Sequence, residues 1–336
     1  MSIFRAPNVR AGFYLSVFLL LVSLYVQTPS ARAQDAAAEA DEVVRVSTDL
    51  ITVPVAVFDS RGRRVAGLSR DAFELRDEGR RVELSYFAAG TDRVALTFLL
   101  DASGSAREII ARQRETALAL FTQFGAGSRV AVLHFRERTE LALPFTADLT
   151  SARAAFDIRA ERDRRTALFD AALEAVRQHD ADERNQTERR IVILLSDGLD
   201  TASTVRAASV IAEARRRGVT FYVIHLPLFT PRDGRLAARQ PTKGFRELAE
   251  QTGGQLFTVG DARAALDPRA AYDLAPVFNA IAADLRGQYM LGYYAGEQER
   301  ARLRHRFDVR LTAQRGRDLR VRLLREGYVF KGGKQE

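Results

Sequence analysis

Five oxygen-bearing side chains stand where apolar runs give way to loops. Val94–Leu100 (VALTFLL) runs into Asp101-Ala102-Ser103-Gly104-Ser105, and Ile191–Leu195 (IVILL) runs into Ser196-Asp197-Gly198. Between them, Arg165-Thr166-Ala167-Leu168 places a hydroxyl at the start of a helical pattern. Asp101, Ser103, Ser105, Thr166 and Asp197 form an all-oxygen set of hard donors that suits octahedral Mg²⁺, with Mn²⁺ or Ca²⁺ as the other candidates. The D-x-S-x-S spacing lets one loop turn bring a carboxylate and two hydroxyls around a point, and the small Ala102 and Gly104 leave room for it. If the hydroxyls bind directly and the carboxylates partly through water, the ion stays electrophilic. It then favours an outside anionic oxygen, most naturally the Asp or Glu carboxylate of a partner protein. Each residue also has a plainer use. Asp101, Ser103, Ser105 and Thr166 can all cap a following helix, Asp197 can stabilise a turn through Gly198, and Asp200, Thr201 or Ser203 can cap the next helix.

Composition narrows the chemistry. The 336 residues contain no Cys, so disulfides, zinc-thiolate sites, iron–sulfur clusters and thiol nucleophiles are excluded. His134, His179, His225 and His305 are too scattered for a local His-rich metal motif. A hydrolase or phosphoryl-transfer enzyme using Asp101 and Mg²⁺ is the competing expectation. It finds no G-x-S-x-G elbow, no G-x-x-x-x-G-K-[ST] loop and no His that the sequence places as a general base. A scaffold with a vestigial metal site is a third reading, weakened by the complete set of five donors. The expectation is therefore a non-catalytic binding module. Arg outnumbers Lys 48 to 3, but the clusters are interleaved with acids or end helices. Arg215–Arg217 before Gly218 is what a helix C-terminus favours. Nucleic acid is not an expected partner.

The elements that must position these residues follow a leader. Arg5 and Arg10, the apolar run 11–26 and Ala31-Arg32-Ala33 read as a signal peptide over 1–33 with cleavage before Gln34. The run is shorter than the roughly 20 residues of a spanning helix, so cleavage is expected over an N-terminal anchor. Export to the periplasm or the extracellular space follows, with a mature net charge of +5 and no later membrane span. Residues 34–42 read as a flexible lead-in and 332–336 as a tail. Residues 43–90 read as a β segment with strands at Leu50–Phe58, Phe73–Arg76 and Val82–Phe87.

From Val94 to about Arg286 strands and helices alternate. Strands are expected at 94–100, 129–135, 141–145, 191–195, 219–226 and 255–259, with 141–145 an antiparallel neighbour of 129–135. Helices are expected at 109–124, 166–176, 203–217, 244–251 and 272–285, and a long polar loop at 226–240. This is an α/β fold, a doubly wound, mostly parallel sheet with helices on both faces. After Gly287, strands at 289–294, 306–311 and 319–324 restore the β pattern over 287–331. We expect the two β segments to pair as a smaller β domain flanking the α/β unit.

The strand-DASGS element, RTALFDA and strand-SDGLDT, in that order, resemble the three loops of a von Willebrand factor type A (VWA) domain over 93–286. The resemblance implies that Asp101, Ser103, Ser105, Thr166 and Asp197 ligate the cation of a metal-ion-dependent adhesion site. It also implies that helix 272–285 can shift when that cation takes a ligand. One departure is Ala106, where many members carry a bulky residue after the second Ser. The flanks, VSTDLITVPVAVF…LRDEG and YMLGYY…LREGY, resemble secreted acidobacterial-type VWA-related proteins.

Overall fold

The first strand, Leu50–Phe58 (β1), spans the residues its β-branched alternation predicts and is buried along nearly its whole length. The computed structural model describes residues 50–91, 93–158, 165–179, 187–232, 234–266, 272–296, 299, 304–312 and 318–329. The leader, the lead-in and the tail read from sequence lie outside these residues. Beyond β1 come Phe73–Asp77 (β2), Arg80–Val82 (β3) and Tyr86–Ala89 (β4). The single strand expected at 82–87 is thus two. β3 pairs back on β2 (Leu75↔Val82), whereas β4 leaves for a second sheet, with buried Leu84 at the corner between them.

The α/β region opens with Val94–Asp101 (β5), Gly104–Arg112 (α1), Arg114–Phe121 (α2), Arg129–Phe135 (β6), Thr139–Thr146 (β7) and Leu149–Ala154 (α3). It continues with Leu168–Gln178 (α4), Arg189–Ser196 (β8), Ala207–Arg217 (α5), Val219–His225 (β9) and the hairpin Phe229–Arg232 (β10) and Arg235–Ala238 (β11). Phe245–Thr252 (α6), Leu256–Thr258 (β12) and Ala275–Arg286 (α7) complete it. The helix expected at 109–124 starts earlier and is interrupted at Gln113, which closes α1 and opens α2. The loop expected at 226–240 carries the β10–β11 hairpin.

Six strands form the central sheet in the order β12-β9-β8-β5-β6-β7, all parallel except β7, which runs antiparallel to β6. Every residue of β5 is buried, as a strand covered on both faces requires. Successive side chains point to opposite faces. Leu96, Phe98 and Leu100 therefore join the core under α1, α2 and α7, while Leu99 joins the core under α4, α5 and α6.

After α7, Gln288–Tyr294 (β13), Arg304–Leu311 (β14), Arg320–Leu323 (β15) and Gly327–Val329 (β16) return to the N-terminal strands. β13 pairs antiparallel with β1 from Leu50↔Tyr294 to Ala56↔Gln288, and β14 pairs with β2. The resulting four-stranded sheets, β15-β1-β13-β4 and β16-β14-β2-β3, enclose a third core around Val53, Leu75, Tyr289, Leu291 and Phe307. The α/β region is inserted between the two halves of this sandwich.

Candidate functional site

Parallel registry sets the site. Asp101 lies opposite Phe135 across β5 and β6, Leu100 opposite Leu195 across β5 and β8, and Ser196 opposite His225 across β8 and β9. Four central strands therefore end on one line at their carboxyl edge, where sheets of this class place their sites.

Hydrogen bonds tie the loops beyond that edge together. Asp101 is fully buried. Its Oδ1 accepts the Ser103 amide at 2.9 Å, and its Oδ2 accepts the Ser196 hydroxyl at 2.6 Å. Ser196 Oγ in turn accepts the Gly198 amide at 3.0 Å. Asp197 Oδ1 accepts the Leu199 amide at 2.9 Å, while His225 Nε2 lies 3.1 Å from the Asp197 carbonyl oxygen and its ring packs edge-on against Phe245. The Thr166 amide donates to Thr201 Oγ1 at 2.8 Å, and the Thr166 carbonyl accepts from the amides of Thr201 and Ala202. The end of β6 braces two loops at once, since Phe135 O accepts the Ala102 amide and Arg136 O accepts the Ala167 amide.

Gly198 is required by this geometry. Its φ is +80°, and a Cβ there would lie 2.6 Å from Pro241 Cβ and 3.0 Å from the Phe245 ring. The Pro241–Thr242 segment reaches the loop on both sides, with the Thr242 amide on Gly198 O and Thr242 Oγ1 accepting the Asp200 amide.

The electrostatics are those of two crowded carboxylates. Burial pushes Asp101 above the ordinary carboxylate range, against the Ser196 hydroxyl and the Ser103 amide, which favour its anion. Burial and the charge of Asp101 push Asp197 up to about 6, opposed by the Leu199 amide and the charge of Arg239. Ser103 occupies the N-cap position of α1 yet makes no capping bond, and its Oγ is buried without a hydrogen-bond partner among the described residues. A hydroxyl orphaned beside two carboxylates whose charge is disfavoured fits a divalent cation, which would satisfy all three. No three His, Asp or Glu side chains gather as a metal group among the described residues. A cation at this edge would depend on hydroxyl donors as much as on carboxylates.

The expected residues fall as follows. Asp101, Ser103 and Asp197 share the strand-end cluster, and Thr166 is bonded into the loop that follows Asp197. The side chain of Ser105 lies outside the described residues. Thr166 does not cap a helix: α4 begins at Leu168, with Ala167 at its N-cap. The capping expected of Asp200 and Ser203 on their own helix is also corrected. Asp200 Oδ1 accepts the Leu168 amide at 2.9 Å and Ser203 Oγ accepts the amides of Phe169 and Asp170, so both cap α4 from another loop. Asp170 returns the bond by accepting the Thr204 and Val205 amides, and α5 starts only at Ala207, with no side-chain cap. Sequence reasoning gave no role to Ser196, a hydroxyl ending an apolar strand beside an Asp, nor to Thr242. His134 bonds the Ala155 carbonyl at 2.6 Å in the interior, and Arg165 pairs with Glu137 at 3.1 Å. Arg164 lies outside the described residues.

Residues 95–269 match the von Willebrand factor type A domain family, and the chain belongs to it. No curated protein is detectably similar in sequence. Among solved structures, the chain is similar to an aerotolerance-related membrane protein from Bacteroides fragilis NCTC 9343, at 17 % identity and a TM-score of 0.43, covering 57 % of this chain and 98 % of that one. A von Willebrand factor type A protein from Catenulispora acidiphila is similar at 15 % identity and a TM-score of 0.44, covering 80 % of this chain and 76 % of that one. Proximal thread matrix protein 1 from the mussel byssus, with a zinc-occupied MIDAS motif, is similar at 17 % identity and a TM-score of 0.42, covering 58 % of this chain and 48 % of that one. Among the described residues no helix is long and apolar enough to cross a membrane.

Proposed function

We propose that this chain is an exported, non-catalytic binding protein. It engages a partner protein's Asp or Glu carboxylate through a divalent cation, Mg²⁺ in first place and Mn²⁺ or Ca²⁺ as alternatives. Asp101, Ser103, Ser105, Thr166 and Asp197 would hold that cation. When bound, it would supply an electrophilic position for the partner's oxygen. The observation that carries this reading is the buried Ser103 hydroxyl, unpartnered among the described residues, beside two carboxylates with raised pKa. Membership of the VWA family supports it.

The chain's own residues prepare the edge. Ser196 orients Asp101 through one carboxylate oxygen and the Ser103 amide through the other, which limits the directions in which the remaining lone pairs can point. Arg239 acts electrostatically on Asp197 and adds positive charge at this edge, which favours an acidic ligand.

Isothermal titration of Mg²⁺ and Mn²⁺ into the wild type and Asp101→Ala tests the cation. Saturable binding to the wild type, lost in the variant, is expected, and no heat with the wild type would sink the proposal. Capture of an envelope protein that is released by EDTA and lost in Asp101→Ala tests the partner. N-terminal sequencing of the exported protein tests the leader, with Gln34 the expected first residue.

A further inference from the structure

The joint between the central sheet and the β-sandwich buries a cation with no carboxylate partner among the described residues. Arg189, the first residue of β8, is only 5 % exposed. Its Nη1 lies 3.3 Å from Met290 Sδ, a weak acceptor, and its Nη2 is buried with no hydrogen-bond partner among the described residues. Neutralisation by proton loss is closed to a guanidinium at physiological pH.

Neighbouring carboxylates are engaged elsewhere. Glu188 accepts both Nη2 and Nε of Arg129, at 2.5 and 3.2 Å. Asp284 accepts from Arg64, Tyr222, Gln255 and Gln288. A cavity of about 20 Å³ opens at the same place, lined by Arg189 and Met290 together with Thr52, Gln288, Arg217 and Arg325. Its size suits one particle little larger than a water molecule. Four arginines line it against one carboxylate, Glu188, which is paired with Arg129: Arg190 bonds the Arg217 carbonyl at 2.9 Å, Arg217 pairs with Glu213, and Arg325 bonds the Thr52 carbonyl at 3.2 Å. A buried charge with no counter-charge and only a thioether as acceptor is a costly arrangement. The cheapest remedy compatible with this volume is a small anion.

We propose that this cavity binds a small monovalent inorganic anion of the halide class, held by the Arg189 guanidinium where the α/β region meets the β-sandwich. Thr52 on β1 and Gln288 and Met290 on β13 belong to the sandwich, whereas Arg189 and Arg217 belong to the α/β region. The anion therefore acts as a counter-charge that fastens the two together.

The test is thermal unfolding of the full chain in EDTA, in sodium chloride against sodium gluconate at equal ionic strength, for wild type and Arg189→Met. Gluconate is too large for the cavity. The wild-type Tm is expected to rise with chloride relative to gluconate, as linkage requires, and Arg189→Met is expected to lose that increment. An equal chloride dependence in both proteins, or none in the wild type, would overturn the proposal. Crystals of the wild type grown in bromide provide a second readout that needs no variant. An anomalous peak within hydrogen-bond distance of Arg189 Nη2 is expected, and an ordered water there instead would equally overturn it.

Discussion

Asp197 is a stability liability at the sheet edge whose size follows from its environment. Its carboxyl is pushed from 3.8 up to about 6, first by burial and then by the charge of Asp101. The folded state therefore binds this proton more tightly than the unfolded chain does. The sign follows: as pH rises from about 4 to about 6, the native protein loses stability through this group, and the loss is complete above the folded pKa. A shift of that size corresponds to about 3 kcal/mol. Asp197→Asn has no charge to bury, and its Oδ1 can still accept the Leu199 amide. Urea unfolding in EDTA at pH 3.5, 5 and 7.5 should therefore give nearly equal stabilities at pH 3.5. At pH 7.5 the variant should be the more stable by about 2–3 kcal/mol. Saturating Mg²⁺ at pH 7.5 should recover the difference in the wild type and leave the variant unmoved. A difference between the two proteins that does not change with pH would refute the reasoning, because it would show that the carboxylate is not strained by its surroundings.

Three further outcomes are expected. Ser196→Ala removes the 2.6 Å donor to Asp101 and the acceptor of the Gly198 amide; it should cost about 1–3 kcal/mol in chemical unfolding and weaken Mg²⁺ binding in titration calorimetry. Gly198→Ala places a methyl 2.6 Å from Pro241 in a backbone conformation with positive φ; it should lower stability by more than about 1 kcal/mol and lower cation affinity with it. Asp284→Asn neutralises the carboxylate that pairs with Arg64 at the buried base of α7. It should cost about 3 kcal/mol or more, and hydrogen exchange should speed up in the last turns of α7.

The central sheet is legible in the sequence because strands covered on both faces are written as unbroken apolar runs. Val94–Leu100 and Ile191–Leu195 admit no solvated face; Asp101 follows the first at once, and Asp197 follows the second after Ser196. Helix starts are less legible, and for a single physical reason. A cap is assigned from sequence to the helix that follows it, whereas here Asp200 and Ser203 serve the amides of α4, more than thirty residues back in the chain. The N-terminal part of the segment read as one helix from Ser203 is consequently a loop. Short elements leave too few residues for a period to show. The six residues of α3 have one buried side chain, and most of the residues in β10 and β11 are exposed. Pairing between strands more than two hundred residues apart, as in β1 with β13, was inferable only from the small size of each β segment alone.

The misassigned caps bear directly on the site. Ser, Thr and Asp at a helix start compete between two uses, since an oxygen that accepts a backbone amide is less available to a cation. At this sheet edge the competition is resolved by delegation. The amides at the start of α4 are satisfied by Asp200 and Ser203, which leaves the Thr166 side chain with no capping duty. Ser103 sits at the N-cap of α1 and makes no capping bond. Asp101 accepts the hydroxyl of Ser196, which reaches it from the neighbouring strand. Supporting residues thus do the structural work, and the oxygens of Ser103 and Thr166 stay uncommitted. That distribution is costly in a protein whose only requirement is to fold, because it leaves a buried hydroxyl unsatisfied and two carboxylates crowded together. It becomes economical once a divalent cation joins them, and this is why we read the strand ends as a binding site and not as three ordinary helix starts.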